Sequence, residues 1–141
     1  MVTYKQGNLF DSDADCIFNT VNCEGYMGKG IAYQFKQRFP ENNVRYEKMC
    51  REGKLRPGTL LTFTENGKTI INFPTKDKWR NPSLMQYIID GLDEFVRNLP
   101  GLGIKKAAMK RLPKQKRLQR HLRSGLKIRL QGLTRKQFST A

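Results

Sequence analysis

The strongest constraint on the fold is an apolar run that leads into a glycine-rich loop and then a helix. Residues 16–18 are apolar and continue into Asn-Thr-Val-Asn at 19–22, which indicates a buried central strand. The loop at 23–30 contains three glycines. Apolar residues then recur every fourth position over 31–39, which predicts a helix. A strand, a loop and a helix in this order predict one unit of an α/β sheet.

The neighbouring segments extend this pattern. A first strand begins near Val2 and ends at Gly7. Pro40 stops the first helix, and residues 41–51 predict a second helix closed by a glycine. Its candidate core residues are Val44, Met49 and Cys50.

The second half predicts a hairpin, a long helix and a further strand. Asn66-Gly67 lies between strand-like runs at 60–63 and 69–73, and this dipeptide is the strongest short hairpin signal. A polar loop follows at 74–82, then a helix at 83–99 with an apolar stripe. Residues 104–109 can start another strand. Strands interleaved with helices favour an α/β layered sheet over a bundle or a sandwich.

Positive charge is concentrated at the C-terminus. The net charge is +15, yet residues 1–103 hold 14 Lys and Arg against 12 Asp and Glu. Residues 104–141 hold 13 basic residues and no acidic one. Such asymmetry indicates either a contact with nucleic acid or another anionic surface, or a final segment outside its original coding frame.

Cysteine usage and hydropathy indicate a soluble cytoplasmic protein. Cys16, Cys23 and Cys50 are odd in number and show no CxxC spacing, so we expect neither a disulfide framework nor a metal site. Cys16 and Cys50 are predicted to be buried thiols. We find no secretory signal and no apolar run of about 18 residues or more that would cross a membrane.

Two segments are candidates for chemistry. The loop around Gly28 opens a helix, so its backbone N–H groups can bind phosphate, although such a turn also occurs without a ligand. Asn22 can donate to a sugar hydroxyl or simply cap the turn.

The second candidate is the basic loop that follows the strand at 69–73. Lys76, Lys78 and Arg80 can be ordinary surface charges. Alternatively, one lysine faces the crevice at the strand end and, when partly desolvated beside other cations, acts as a nucleophile toward a sugar C1 carbon. Trp79 can stack on a base or pack on the sheet, and packing is the default expectation.

Together these runs resemble the macrodomain superfamily. The similarity covers residues 1–109, and its most specific parts are Met-Gly-Lys-Gly-Ile-Ala at 27–32 and Asn-Phe-Pro-Thr-Lys at 72–76. The branch most similar is that of the DNA ADP-ribosyl glycohydrolase antitoxins and the terminal ADP-ribose glycohydrolase. The resemblance implies a three-layer α/β/α fold with a mixed sheet.

It also implies ADP-ribose as the ligand, with no cofactor and no metal. The implied catalytic residue is Lys76, acting on ADP-ribose carried by a nucleobase or an acidic side chain. Macrodomains often carry Asp where this chain has Asn8. Asn can still hydrogen-bond an adenine edge but lacks the charge, which implies a lower affinity for adenine. The implied ligand-binding residues are Gly7, Asn8, Leu9, Asn22, Met27, Gly28, Lys29, Gly30, Ile31 and Thr75.

The chain departs from the family after residue 109. The family's second, glycine-rich phosphate loop is replaced by a basic run at 110–117, and the last helix and strand are not recognisable. We therefore expect an incomplete core at 1–109, with an unpaired sheet edge, followed by a divergent tail at 110–141. Three functions remain open: a glycohydrolase, a non-catalytic ADP-ribose reader, and a basic protein that binds nucleic acid through the tail. The oligomeric state is open as well.

Overall fold

A computed structural model of the chain describes residues 2–4, 7–110 and 137–140. Within these ranges the regular elements are six strands and three helices, with one 3₁₀ turn at Leu9–Asp11. In chain order they are β1 (Val2–Tyr4), β2 (Cys16–Val21), α1 (Gly30–Arg38), α2 (Pro40–Arg51), β3 (Leu61–Glu65), β4 (Lys68–Pro74), α3 (Met85–Leu102), β5 (Lys106–Met109) and β6 (Gln137–Thr140).

The strands form one mixed sheet in the order β1-β6-β5-β2-β4-β3. All neighbouring pairs are parallel except β3 and β4, which form an antiparallel hairpin. The hairpin turns at Asn66 and Gly67, as the sequence predicts. Because β2 and β4 are parallel neighbours, their carboxyl ends lie side by side at one edge of the sheet.

The expectation that the last strand is missing is wrong. Gln137–Thr140 lies between β1 and β5 and pairs in parallel with both. Backbone N–H and C=O groups make these ladders, so a strand needs no apolar run in its sequence. The unpaired sheet edge that we expected from a missing strand is therefore absent from the described sheet, because β6 fills the position between β1 and β5. The expected loss of the last helix falls at 111–136, outside the described residues.

Alternate side chains of the central strands enter two cores on opposite faces of the sheet. On one face, residues from β2, β4 and β5 pack against the apolar stripe of α3, including Phe95 and Leu99. On the other face, Ile17, Ile70 and Ala108 pack with residues of α1, α2 and the 3₁₀ turn. This confirms the three-layer α/β/α arrangement, since strand side chains alternate between the faces.

The helices match their predicted positions with local differences. Pro40 follows the end of α1 and also begins α2, where its missing N–H costs nothing. The third helix runs from Met85 to Leu102 and includes Pro100. None of the helices in the described ranges is long and apolar enough to cross a membrane.

The core prediction for α2 is wrong in one place. Val44 is 64% exposed. The buried residues of α2 are instead Asn42, Asn43 and Tyr46, so a polar face of this helix lies against the sheet. Met49 and Cys50 are only half-buried at the margin of that core. An apolar pattern could not identify this face, because its buried residues are polar or carry a hydroxyl.

Candidate ligand-binding site

A cavity of about 670 Å³ lies at the edge where β2 and β4 end, and we call it the lysine cavity. Its size falls within the range of roughly 300–1,000 Å³ typical of small-molecule sites. Parallel strands commonly place ligands at their carboxyl ends. The residues that line it are Thr20, Val21, Asn22, Tyr26, Gly28, Lys29, Ala32, Thr75, Lys76, Trp79 and Arg80.

Backbone hydrogen bonds hold the two loops together beyond the strand ends. Thr75 N–H donates to Val21 O at 3.0 Å, and Cys23 N–H donates to Asp77 O at 2.9 Å. Asn22 and Lys76 line the lysine cavity, whereas the next residue of each segment, Cys23 and Asp77, lines a second one.

The second cavity has a volume of about 470 Å³, and we call it the cysteine cavity. Its lining includes residues from both paired loops, from α2 and α3, and from the segment after α2. These residues are Cys23, Cys50, Gly53, Leu55, Arg56, Pro57, Asp77 and Tyr87.

Lys76 and Lys78 occupy different environments. Lys76 is half-buried and lines the lysine cavity, while Lys78 is exposed and does not. Lys29 and Arg80 add two more cations to the lining, and no acidic side chain belongs to it among the described residues. The lysine cavity therefore suits an anionic ligand.

The N-terminus of α1 adds backbone donors at the same place. Lys29 is the N-cap residue, and its side chain makes no capping hydrogen bond. The first turn contains no acidic residue, so the first N–H groups of the helix are available to an anion. Gly30 has φ +60°, a left-handed conformation that glycine adopts without a steric cost.

Asn22 is held by a dense set of hydrogen bonds. Its Nδ2 donates to Tyr26 O at 2.9 Å, and its Oδ1 accepts from the N–H groups of Glu24 and Tyr26. The buried Tyr46 hydroxyl lies 2.9 Å from the same Oδ1 and 2.7 Å from Asn22 O. The side chain thus shapes the loop, and one Nδ2 hydrogen stays available to a ligand.

A buried asparagine cluster lies behind the lysine cavity and was not identified from the sequence. Asn72 of β4 accepts from Asn19 and Asn42 and donates to Asn42 Oδ1 at 2.8 Å and Leu61 O at 3.1 Å. Asn19 Nδ2 also contacts Met27 Sδ at 3.7 Å. The cluster joins the sheet to α2 and to the glycine loop. The sequence feature that could have indicated this cluster is an asparagine within each of two largely apolar strands, Asn19 in β2 and Asn72 in β4.

Two aromatic side chains at the lysine cavity are exposed. The default expectation that Trp79 packs on the sheet is wrong, because it is 48% exposed and lines the cavity. Its backbone N–H donates to Glu24 Oε2, and the Arg80 guanidinium lies 4.7 Å from its ring centroid. Tyr26 is 66% exposed and was not predicted as a site residue.

The predicted ligand-binding residues divide into two groups. Asn22, Gly28, Lys29, Thr75 and Lys76 come together in the lysine cavity. The other group does not line it: Gly7, Asn8, Leu9, Met27, Gly30 and Ile31.

Three of this second group have structural roles. Asn8 caps the 3₁₀ turn through Oδ1, which accepts from Phe10 N–H at 3.0 Å, and Leu9 is buried below it. Met27 is buried against Asn19. Among the described residues, no group of three His, Cys, Asp or Glu side chains is arranged to hold a metal ion.

Comparison with known proteins places this geometry in a family. The Macro domain family model matches residues 18–114. A DNA ADP-ribosyl glycohydrolase of Mycobacterium tuberculosis is 44% identical over 113 residues, covering 77% of this chain and 32% of that protein. The corresponding protein of Thermus aquaticus is 37% identical over the same length, with 77% and 31% covered. The chain thus spans about a third of these relatives.

Solved structures agree with this assignment. The macrodomain of M. tuberculosis DarG superposes with a TM-score of 0.88 at 37% identity, covering 99% of this chain and 96% of that one. Thermosipho africanus DarTG in complex with ADP-ribose superposes with a TM-score of 0.78 at 25% identity, covering 99% and 41%. The sheet order, the two helical layers and the family match lead to one conclusion: the chain belongs to the macrodomain family.

Proposed function

We propose that the chain binds ADP-ribose in the lysine cavity and releases it from a modified nucleobase of DNA. The observation that carries the proposal is the half-buried Lys76 in a cavity whose lining is cationic and next to an uncapped helix N-terminus. A pyrophosphate carries the negative charge that such a site favours. Relatives named DNA ADP-ribosyl glycohydrolases and the ADP-ribose complex of DarTG support this ligand and substrate.

In this proposal ADP-ribose lies along the residues that the macrodomain resemblance implies as its binding site. Residues 28–31 hold the pyrophosphate, and Asn22, with Thr75 beside it, contacts the distal ribose. Asn8 and its neighbours Gly7 and Leu9 contact the adenosine. Met27 supports the loop from below, since its side chain is buried.

Lys76 acts as the nucleophile. Its amine nitrogen attacks C1 of the distal ribose and breaks the bond from that carbon to the nucleobase. The leaving base nitrogen takes the proton that the lysine nitrogen releases after attack. Water then hydrolyses the lysine–sugar adduct, which regenerates the amine and frees ADP-ribose. The half-buried position of Lys76 supports this role. An amine that is less hydrated attacks a carbon more readily than a fully exposed amine such as that of Lys78.

The test compares Lys76→Ala with Lys78→Ala, a control from the same loop whose side chain lies outside the cavity. Release of ADP-ribose from a modified oligonucleotide is followed by mass spectrometry, and binding of free ADP-ribose by calorimetry. We expect Lys76→Ala to abolish release while binding changes only a few-fold, because a nucleophile acts mainly in the transition state. Equal losses from both variants would show that the loop supplies charge alone.

A non-catalytic reader is the second candidate, favoured by the replacement of the second phosphate loop in the sequence at 110–117. A reader binds ADP-ribose and releases none from the oligonucleotide. In either case we assign residues 1–109 and the strand at 137–140 to the macrodomain core, and we propose that the basic segment between them contacts nucleic acid. Strong salt dependence of DNA binding that disappears when the basic residues at 110–136 are replaced by neutral ones would support this contact. The free cysteines support a cytoplasmic location for this activity.

A further inference from the structure

The cysteine cavity brings together two thiols that are distant in sequence. Cys23 lies in the loop after β2, and Cys50 lies in the last turn of α2. Both are free and half-buried, and both line the same space. A Cβ built on Gly25, two residues after Cys23, would lie 3.7 Å from Cys50 Cβ. The loop that carries Cys23 is therefore packed directly against Cys50.

Each thiol is also connected to Asn22 of the lysine cavity. Cys23 is the next residue along the chain. Cys50 lies one turn after Tyr46 in α2, close to its hydroxyl, which donates to Asn22 O at 2.7 Å and lies 2.9 Å from Asn22 Oδ1. Asn22 is thus connected to both thiols: along the backbone to Cys23, and through the Tyr46 hydroxyl to Cys50.

We infer that Cys23 and Cys50 form a reversible disulfide, and that this bond alters the lysine cavity through Asn22. A disulfide requires the two sulfur atoms to lie about 2 Å apart. Closing that bond draws the Cys23 backbone toward α2 and moves the Cys50 sulfur, which lies close to the Tyr46 hydroxyl. Both effects shift Asn22. The inference of an altered affinity rests on the proposed function, whereas formation of the bond does not.

A small disulfide such as oxidised glutathione supplies the oxidising equivalents. The Cys50 thiolate attacks one sulfur of glutathione disulfide and expels a glutathione thiolate. The Cys23 thiolate then attacks the Cys50 sulfur of the mixed disulfide and expels the second glutathione thiolate. The two protein thiol protons end on the two glutathiones, so two thiols are oxidised and one disulfide is reduced.

The environment favours Cys50 as the first attacking group. Burial raises the pKa of both thiols, and that of Cys23 rises to about 12. Hydrogen bonds from the Tyr46 hydroxyl and the Gly25 N–H oppose the effect of burial at Cys50. The thiolate is the reactive form, so below the pKa the oxidation rate should rise about tenfold for each unit of pH.

The experiment treats the reduced chain with glutathione disulfide at pH 7.5 and 8.5. Bond formation is followed by the mass of the intact chain and by peptide mapping without reduction. We expect one bond, between Cys23 and Cys50, which forms about ten times faster at the higher pH. Cys16→Ser is the matched control, because Cys16 is fully buried in the opposite core and lies outside the cysteine cavity. This variant should form the same bond.

Coupling to the lysine cavity has two readouts. The chain has a single tryptophan, Trp79, which lines that cavity, so its emission reports on the cavity without any ligand. Oxidation should change this emission and weaken ADP-ribose binding about tenfold, within the usual range of coupling between sites. Dithiothreitol should reverse both changes. In Cys23→Ser and Cys50→Ser, neither readout should respond to glutathione disulfide.

Several results would overturn the inference. Glutathione adducts without an internal bond, or a bond that involves Cys16, would show that the two thiols do not reach each other. A bond that forms without changing Trp79 emission would refute the coupling. Failure of the reduced chain to bind ADP-ribose would instead refute the proposed function, and the mass and emission measurements would still decide this inference.

Discussion

The packing of α3 against β4 makes a quantitative prediction for Gly91→Ala. A Cβ built on Gly91 would lie 2.5 Å from Phe73 Cζ and 2.9 Å from Phe73 Cε2. Non-bonded carbon atoms prefer separations of about 3.5–4.0 Å, so either the ring or the helix must move by roughly 1 Å. Phe73 is fully buried, and its ring packs edge-on against Phe18. The ring therefore has no free space to enter.

The magnitude follows from two opposing terms. Overpacking a dense core costs about 1–3 kcal/mol, while replacing a helical glycine by alanine contributes up to about 1 kcal/mol in the opposite direction. We expect Gly91→Ala to lower the free energy of unfolding by about 1–2 kcal/mol. Gly101→Ala lies in the same helix with nothing within 4 Å of its added Cβ, so we expect a stabilisation of up to about 1 kcal/mol.

Urea denaturation of both variants measures the difference, which we expect to be about 2 kcal/mol with unchanged m-values. The same change should slow the proposed release of ADP-ribose, because Phe73 lies three residues before Lys76. A displacement of about 1 Å at a reacting group can cost on the order of a hundredfold in rate. If Gly91→Ala proved as stable and as active as Gly101→Ala, the close contact between α3 and β4 would be refuted.

Three further perturbations test other parts of the molecule. Gly30→Val places a branched side chain at φ +60° and should weaken ADP-ribose binding at least about tenfold in calorimetry; unchanged affinity would show that the first turn of α1 does not hold the ligand. Asn72→Ala leaves buried partners unsatisfied and should cost about 3 kcal/mol in urea, whereas exposed Asn98→Ala should stay within about 0.5 kcal/mol. Removing residues 137–141 deletes the strand between β1 and β5. Amide hydrogen exchange at residues 2–4 should then accelerate, while β2 and β4 stay protected. Unchanged protection at residues 2–4 would exclude the pairing of β1 with β6.

The sequence by itself determined the local elements and the family. Regular spacing of apolar residues predicted α3, and a single dipeptide predicted the turn between β3 and β4. These signals are local, because helix and hairpin patterns repeat within a few residues. The two specific runs at 27–32 and 72–76 are sufficient to indicate the macrodomain family.

Only the tertiary structure decided which of these residues meet. Parallel pairing of β2 with β4 brings together the residues that follow the two strands, so Asn22 and Lys76 line the same cavity. The paired strand residues Asn19 and Asn72 are 53 positions apart in the sequence. The same pairing sends Cys23 to a different cavity from its neighbour Asn22. The insertion of β6 and the close approach of Gly91 to Phe73 were equally absent from the sequence pattern. Register and helix–sheet distance depend on hydrogen bonds and packing between distant segments, and local periodicity carries no record of either.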